Sequence, residues 1–226
     1  MTRIIVVCEG QTEQSFCNDV LLPHFSRFEI FLTTPTIKKT YGGIVRWSAL
    51  KNQIERHLLQ DKTAFVTTLI DYYGLYAHHQ FPDWDEAERT VDRNERLNII
   101  EKGMQNDLQE NIRKRFIPYI QLHEFEGLLF SDISVFDRNF EIQEFSDYKY
   151  LVSTIDENPN PEMINNGNDT APSKRLSKIL KPYSSKVLYG SMLAQEIGLT
   201  KIREKCPRFN NWILKIERIK DVLTEV

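Results

Sequence analysis

The sequence predicts an α/β fold, in which a mostly parallel sheet is flanked by helices and followed by a helical C-terminal part. Three apolar runs lead to this prediction, residues 4–8, 64–70 and 115–122. None of them alternates apolar with polar residues, which is typical of strands buried on both faces of a parallel sheet. Each run is followed within a few residues by an acid and a glycine. We expect residues 1–135 to contain this sheet.

The first strand, residues 4–8, is followed directly by Glu9 and Gly10. Gly10 permits a sharp turn at the end of the strand. Thr12 is placed to cap the helix that follows, with Glu13 in its first turn. Glu9 is therefore expected at the carboxyl edge of the sheet, where open α/β folds bind their ligands.

Two further helix and strand predictions follow along the chain. Residues 14–28 have the apolar spacing of one helical face, and residues 28–36 resemble a strand. That strand is placed at an edge of the sheet because Pro35 lacks a backbone N–H group. Residues 47–60 predict a second helix with an apolar inner face.

The second buried strand, residues 64–70, ends at Asp71. Residues 83–111 are rich in charges of both signs, which indicates solvated helices. The third apolar run, residues 115–122, then leads to two more acids. The βαβ reading of these elements makes the strands parallel neighbours.

The C-terminal part, residues 136–226, is predicted to be mainly helical and to pack on the sheet domain. Pro172 and Ser173 are suited to open a helix. Residues 212–222 predict a final amphipathic helix.

Composition excludes several classes of protein. The net charge is −3, so no global basic field would attract nucleic acid, and binding would need a local patch. No apolar stretch approaches the roughly 20 residues that span a bilayer. The N-terminus begins with a predicted strand rather than a signal peptide. The three cysteines have neither metal spacing nor an even count, which favours a reducing, cytoplasmic location without disulfides.

Five acids form the candidate site, because the carboxyl ends of parallel strands meet at one edge of a sheet. Glu9 and Asp71 end two of the predicted strands, and Glu13 follows in the first helix. Glu124 and Glu126 follow the third run, and in an extended segment both side chains would project to the same side. Facing acids repel unless a cation or hydrogen-bond donors lie between them.

Simpler interpretations remain open for four of the five acids. Glu9 could be a solvated loop acid, and Asp71 could cap a loop. Glu124 and Glu126 could lie on a solvated strand face.

Carboxylate oxygens are hard ligands that suit Mg²⁺ or Mn²⁺. A basic segment around Lys174 and Arg175 could hold a phosphate group opposite the acids. The sequence has no GxxxxGK[ST], GxGxxG or GxSxG motif, which argues against nucleotide binding by the first two routes and against a serine hydrolase elbow.

An ordered set of motifs over nearly the whole chain resembles the bacterial domain-of-unknown-function family 4276. The motifs are Cys8-Glu9-Gly10-Gln11-Thr12-Glu13, Asp71-Tyr72-Tyr73-Gly74, His123-Glu124-Phe125-Glu126-Gly127-Leu128-Leu129-Phe130, Pro172-Ser173-Lys174-Arg175-Leu176, Tyr189-Gly190 and Cys206-Pro207-Arg208-Phe209-Asn210-Asn211-Trp212. That family is similar to Toprim domains, the metal-dependent fold of topoisomerases, primases and overcoming-lysogenization-defect nucleases.

The resemblance implies roles for particular residues. Glu9 matches the Toprim glutamate after the first strand, and Asp71 matches the first acid of the Asp-x-Asp pair. Tyr73 stands where the second acid of that pair would be, so the sequence departs from the Toprim pattern at this position. Glu13 resembles the second acid of a Glu-x-x-x-acid motif in the related nucleases.

Two further transfers are inferences that go beyond the motif. Glu124 or Glu126 would replace the missing ligand. Lys174 would stand in for a catalytic lysine, with Arg175 beside it for phosphate binding.

The expected function is a Mg²⁺- or Mn²⁺-dependent nuclease that acts on DNA or RNA in prokaryotic antiviral defence, with an ATPase encoded nearby as a partner. The alternative is a non-catalytic effector or partner subunit of an ATPase-containing defence complex, which the missing second acid favours. Phosphoryl transfer on small nucleotides and assembly as a homodimer are further open possibilities.

Overall fold

The computed structural model describes residues 2–38, 44–164, 167, 169–183 and 185–219. Its centre is a five-stranded sheet in which every strand pairing is parallel. The strands are β1 (Thr2–Cys8), β2 (Ile30–Thr33), β3 (Phe65–Asp71), β4 (Phe116–Ile117) and β5 (Ile120–Gln121). Their order is β2-β1-β3-β4, and β5 also pairs with β3. The predicted α/β class and the edge position of the second strand are confirmed.

The third apolar run forms two short strands instead of the single strand that we expected. β4 pairs with the middle of β3, and β5 pairs with its carboxyl end. Pro118 lies between the two strands and has no backbone N–H to donate to the sheet.

Helices surround this sheet, and their bounds follow the sequence pattern closely in several places. They are α1 (Gln11–Phe16), α2 (Leu22–Ser26), α3 (Trp47–Gln60), α4 (Trp84–Arg89), α5 (Arg93–Asn106), α6 (Glu110–Arg113), α7 (Ile133–Asn139), α8 (Tyr148–Glu157), α9 (Pro172–Ile179), α10 (Lys186–Lys205) and α11 (Pro207–Glu217). A π-helical turn, Cys17–Leu21, joins α1 to α2. Short 3-10 helices cover Ala77–His79, Phe125–Ser131, Ile142–Glu144 and Pro161–Met163.

The predicted helix over residues 47–60 is confirmed at both ends. The last helix begins at Pro207, five residues before the predicted start, because proline is suited to the first helical position. The predicted end of that helix, residues 220–222, lies outside the described residues. Among the helices that the structure describes, none is long and apolar enough to cross a membrane.

Two hydrophobic cores cover the two faces of the sheet, and alternate residues of β1 contribute to each. Ile4 and Val6 pack with residues of α10 and α11 in the first core, including Trp212. Val7 packs with residues of α3, α4 and α5 in the second core, including Trp47. Because the first core joins β1 to the last two helices, residues 1–135 and 136–226 share one hydrophobic interior.

Candidate metal and phosphate site

The carboxyl end of β1 delivers two of the predicted acids. The Glu9 backbone N–H donates to the Leu69 carbonyl at 2.9 Å, so Glu9 still belongs to the β1–β3 edge. Gly10 precedes α1, and its N–H donates to Glu13 Oε2 at 2.8 Å. This bond is the reciprocal half of a capping box, in which an acid three residues into the helix satisfies a backbone donor. Thr12 lies inside the helix, so its predicted capping role is wrong.

Asp71, at the end of β3, is hydrogen-bonded to Glu9 of the first motif and to Phe125 of the third. Its backbone N–H donates to Glu9 Oε2 at 3.0 Å. Its side-chain Oδ1 accepts the Phe125 N–H at 2.9 Å. These two bonds connect the three strand ends, so the predicted meeting of Glu9 and Asp71 at one edge agrees with the structure.

Glu124 and Glu126 reach this edge by a different route from the one predicted. Glu124 is extended, but the 3-10 helix Phe125–Ser131 begins immediately after it and contains Glu126. The expectation of one extended segment is therefore wrong. Both side chains are nevertheless buried. Glu124 Oε2 accepts the Ser173 N–H at 2.8 Å, and its Oε1 accepts the Ser173 hydroxyl at 2.9 Å.

All five predicted acids interact electrostatically, and we call Glu9, Glu13, Asp71, Glu124 and Glu126 the acidic cluster. Burial raises the pKa of Asp71 well above its usual range, and the charges of the other four members raise it further. The pKa of Glu126 is raised to about 7, first by burial and then by Glu124. Buried like charges favour protonation, so the cluster needs protons or a cation to balance it at neutral pH.

The two basic residues predicted to bind phosphate, Lys174 and Arg175, are not held against the acidic cluster by any of the contacts described below. Lys174 is exposed on the first turn of α9, next to Ser173. The Arg175 guanidinium donates to the Thr170 carbonyl and the Thr154 hydroxyl, at 2.8 and 3.1 Å, and lies over the Tyr150 ring. Arg175 is thus engaged in the helical part of the molecule, which leaves Lys174 as the predicted cation with its side chain in solvent.

Three residues of the C-terminal part belong to the site although sequence reasoning did not select them. Ser173 binds Glu124, as described above. Lys186, at the start of α10, is the cation whose charge lowers the pKa of Glu126. The Tyr183 hydroxyl is buried without a hydrogen-bond partner among the described residues, and its pKa is raised by burial and by three members of the acidic cluster. In the sequence, Lys186 is one of several basic residues in the segment that follows Lys174, and nothing distinguishes it from the others. No sequence pattern assigns Tyr183 to the site.

Tyr73 and His123 form the boundary of the cluster. The Tyr73 N–H donates to the His123 carbonyl at 2.8 Å. His123 has a positive φ of 67° and is buried, and its Nε2 lies 3.0 Å from an Arg93 nitrogen. Burial and then Arg93 lower the pKa of His123 to about 4, so the ring is neutral at neutral pH and accepts a bond from Arg93.

The donor atoms fit a hard divalent cation, since the cluster offers carboxylate oxygens from three strand ends. In the part of the chain that the structure describes, no group of three or more His, Cys, Asp or Glu side chains is arranged to hold a metal ion as the side chains stand. Mg²⁺ usually keeps several waters and uses one or two carboxylates together with substrate phosphates. A site of that kind needs fewer protein ligands than a dedicated metal cage.

A family model described as "Domain of unknown function (DUF4276)" matches residues 8–217. The chain therefore belongs to this family, as its motifs predict. No curated protein and no solved structure matches the chain significantly. The matched region includes the whole acidic cluster, but the family description names no activity, so function has to be inferred from the chemistry of the site.

Proposed function

We propose that this protein is a Toprim-like, Mg²⁺- or Mn²⁺-dependent phosphodiesterase that cleaves DNA or RNA in the cytoplasm. The observation that carries the proposal is the convergence of five acids at the carboxyl edge of a parallel sheet. Such an edge is the usual ligand-binding position in open α/β folds. The raised pKa values of Asp71 and Glu126 support a cation there, because a bound cation would remove the cost of ionising both.

The residues divide by role. Asp71 and Glu9 would hold the ion, with Glu126 or Glu124 in place of the acid that Tyr73 replaces. Glu13 would tune the charge of the site. A bound divalent cation supplies a water of lowered pKa and stabilises charge on a phosphate oxygen. Glu9 would also accept a proton from the attacking water.

A cation on the protein would steady the scissile phosphate. Lys174 is the residue expected from the sequence, and its neighbour Ser173 binds the acidic cluster directly. Lys186 is a second choice, because its charge acts on Glu126. Arg175 is a weaker choice, because its guanidinium already binds Thr154 and Thr170.

The biological setting is proposed from the family resemblance alone. Toprim-like members of this kind occur beside ATPases in prokaryotic defence loci, so an ATPase partner and an antiviral role form part of the proposal. Nucleic acid would be the substrate in that setting.

The direct test is cleavage of DNA and RNA panels with Mg²⁺ or Mn²⁺. We expect Glu9→Gln and Asp71→Asn to lose activity by at least about 100-fold, since each removes a carboxylate charge that would hold the cation at the reacting phosphate. Both substitutions keep the oxygen that accepts the described backbone N–H. Glu110→Gln is the matched control, because this acid is 88% exposed on its side chain and lies outside the cluster.

Metal binding is measured separately by the rise in melting temperature with Mn²⁺. The wild type should be stabilised, and Asp71→Asn should not. If wild type and Glu9→Gln cleave alike, and neither binds metal, the proposal is wrong.

One observation favours the non-catalytic alternative. Tyr73 occupies the position at which the family resemblance implies an acid ligand. An effector subunit would then use this edge as a binding surface for an ATPase. Full biological activity of the doubly substituted Glu9→Gln, Asp71→Asn protein, together with co-purification of the ATPase, would support this alternative.

A further inference from the structure

A cavity of about 990 Å³ opens to solvent near the carboxyl end of β3. Its lining includes Tyr72, Tyr73, Tyr76, Trp84, Arg93 and His123. Tyr72 directly follows Asp71, and His123 directly precedes Glu124. The walls of the cavity therefore begin one residue from two members of the cluster, which is about 3.8 Å between Cα atoms. The cavity lining and the acidic cluster therefore share two chain segments, which links the cavity to the proposed cleavage site.

Two buried N–H groups of the lining residues have no partner among the described residues. They are Trp84 Nε1 and His123 Nδ1. His123 Nε2 faces an Arg93 donor, so the ring hydrogen of the neutral imidazole must lie on Nδ1. His123 is only 2% exposed. An unsatisfied buried donor is destabilising, so acceptor oxygens of a ligand that reached these groups would be favoured.

The charges of the lining also favour an anion. Arg93 and Arg96 carry positive charge, and Glu88 is the single acid of the lining. The Arg96 guanidinium is already bound to the Thr90 carbonyl and the Tyr72 hydroxyl, so it is fixed in place. Arg93 is half-buried at the start of α5, with one of its nitrogens on His123.

An aromatic surface completes the cavity. The Tyr76 side chain belongs to a residue that is 57% exposed, although tyrosine is usually better covered. Its ring is stacked on His78, with centroids 5.6 Å apart and planes 16° apart. Aromatic side chains of single-strand-binding proteins stack on nucleobases without sequence preference.

We propose that this cavity binds one unpaired nucleotide of a single-stranded substrate, with its phosphate on Arg93 and its base against Tyr76. The proposal rests on the proposed function, and it assigns the substrate class of the same site as single-stranded nucleic acid. A base must be unstacked and unpaired to enter the cavity, which a duplex does not allow. Tyr73, which stands where the resemblance implies an acid, lines this cavity and would contact the bound nucleotide.

Binding is tested without cleavage, by fluorescence anisotropy in EDTA with the Glu9→Gln protein as background. The probes are labelled dT and rU 12-mers, an abasic 12-mer and a 12-base-pair duplex. Tyr76→Ala should weaken binding of the single strands by about 5- to 100-fold, which corresponds to the stacking energy of one base. Tyr76→Phe should bind as the background protein does. The abasic strand should bind the background protein more weakly than dT does, and should not distinguish Tyr76→Ala from it.

Arg93→Gln tests the phosphate contact. It should weaken binding of all single strands and lower the slope of log affinity against log salt by about 1. Arg56→Gln, an exposed arginine of α3, is the matched control and should change neither quantity.

The outcomes separate the subsite from the cleavage activity. Unchanged binding by both Tyr76→Ala and Arg93→Gln would overturn the subsite even if metal-dependent cleavage is observed. Equal or tighter binding of the duplex would also overturn it. Loss of binding in these two variants, in a protein that cleaves nothing with any metal, would retain the subsite and reject the phosphodiesterase.

Discussion

Ionisation of the buried Glu126 carboxyl destabilises the folded protein. Its pKa is about 7 in the folded protein, above the usual value of 4.5, because the carboxyl is buried near Glu124. Between pH 4.5 and 7 the folded state therefore keeps a proton that the unfolded state has lost. The free energy of unfolding must fall as pH rises through this window. Ionisation of Glu126 lowers the free energy of unfolding by at most about 3 kcal/mol over this window.

Glu126→Gln should remove this pH dependence, because the amide stays neutral. In EDTA, we expect the variant to melt at a higher temperature than wild type at pH 7.5, and at a similar temperature at pH 4.5. Its stability should decline less between these values. Glu110→Gln, at an exposed acid, should follow the wild type throughout. A Glu126→Gln protein that loses stability as steeply as wild type would contradict the assignment.

Ser173 is the second residue whose substitution tests the cluster. Ser173→Ala removes the hydroxyl that donates to buried Glu124 at 2.9 Å but leaves the backbone bond at 2.8 Å. A hydrogen bond to a charged group contributes about 1.5–3 kcal/mol, so urea unfolding should show a loss of that size. Ser177→Ala is the matched control on the same helix, because its hydroxyl donates only to the Ser173 carbonyl. A similar loss in both variants would mean that the Glu124 bond has no special weight.

At the scale of elements, Arg208 holds the start of α11 against α5 and β5. Its guanidinium donates to Glu101, to Asn98 at 2.9 Å and to the Ile120 carbonyl at 3.2 Å. Glu101 is buried, and burial raises its pKa in spite of Arg208. Arg208→Ala would leave that acid without its cation, so we expect a loss of about 3–5 kcal/mol in unfolding free energy.

The Glu101→Gln substitution should restore part of this loss in the Arg208→Ala background, because it removes the uncompensated charge. Arg218→Ala, at an exposed arginine just after α11, should cost less than about 0.5 kcal/mol. Chemical unfolding of wild type, Arg208→Ala, Glu101→Gln, the double variant and Arg218→Ala measures these differences. Additive effects of Arg208→Ala and Glu101→Gln would contradict a direct interaction between them.

The sequence predicts elements well where one physical signal dominates. The helix over 47–60 has a regular apolar face, and the unalternating run at 64–70 becomes β3 within one residue. Prediction failed where two signals compete. Pro118 divides the third run, and the segment after Glu124 turns into a 3-10 helix although its alternating acids suggest a strand. Local periodicity could not reveal the Phe125 N–H bond to Asp71, which is a tertiary contact.

At the scale of the molecule, parallel topology explains why the acids could be predicted and their partners could not. Parallel strands end at one edge of the sheet, so the acids at or shortly after the ends of β1, β3 and β5 lie near that edge. The contributions of Ser173, Tyr183 and Lys186 depend on how the C-terminal helices fold back over that edge. No spacing in the sequence encodes this arrangement. The topology of the sheet thus determines where the acidic cluster lies. The residues that contact it from the C-terminal part depend on the fold of the whole described chain.

The helices on the two faces of the sheet depend on the same strands, so the unfolding of the two faces should be coupled. Trp212, from α11, donates to the Thr67 hydroxyl of β3 at 2.8 Å and stacks on Tyr119 with centroids 4.5 Å apart. Trp47 lies in the core on the opposite face of the sheet. Because β1 and β3 contribute side chains to both cores, neither face can lose its helices without exposing the sheet. We expect the two faces to unfold together in one transition.

Two variants test this prediction, each with a single tryptophan. One contains Trp47→Phe and Trp84→Phe, so that Trp212 reports on the C-terminal helices. The other contains Trp84→Phe and Trp212→Phe, so that Trp47 reports on the opposite face. Within each variant, the fluorescence midpoint in urea should coincide with the midpoint from far-UV circular dichroism, even though the two variants differ in stability. A Trp212 signal that changes at lower urea than the circular dichroism would show that the C-terminal helices unfold separately, and that the acidic cluster can lose its covering while the sheet remains folded.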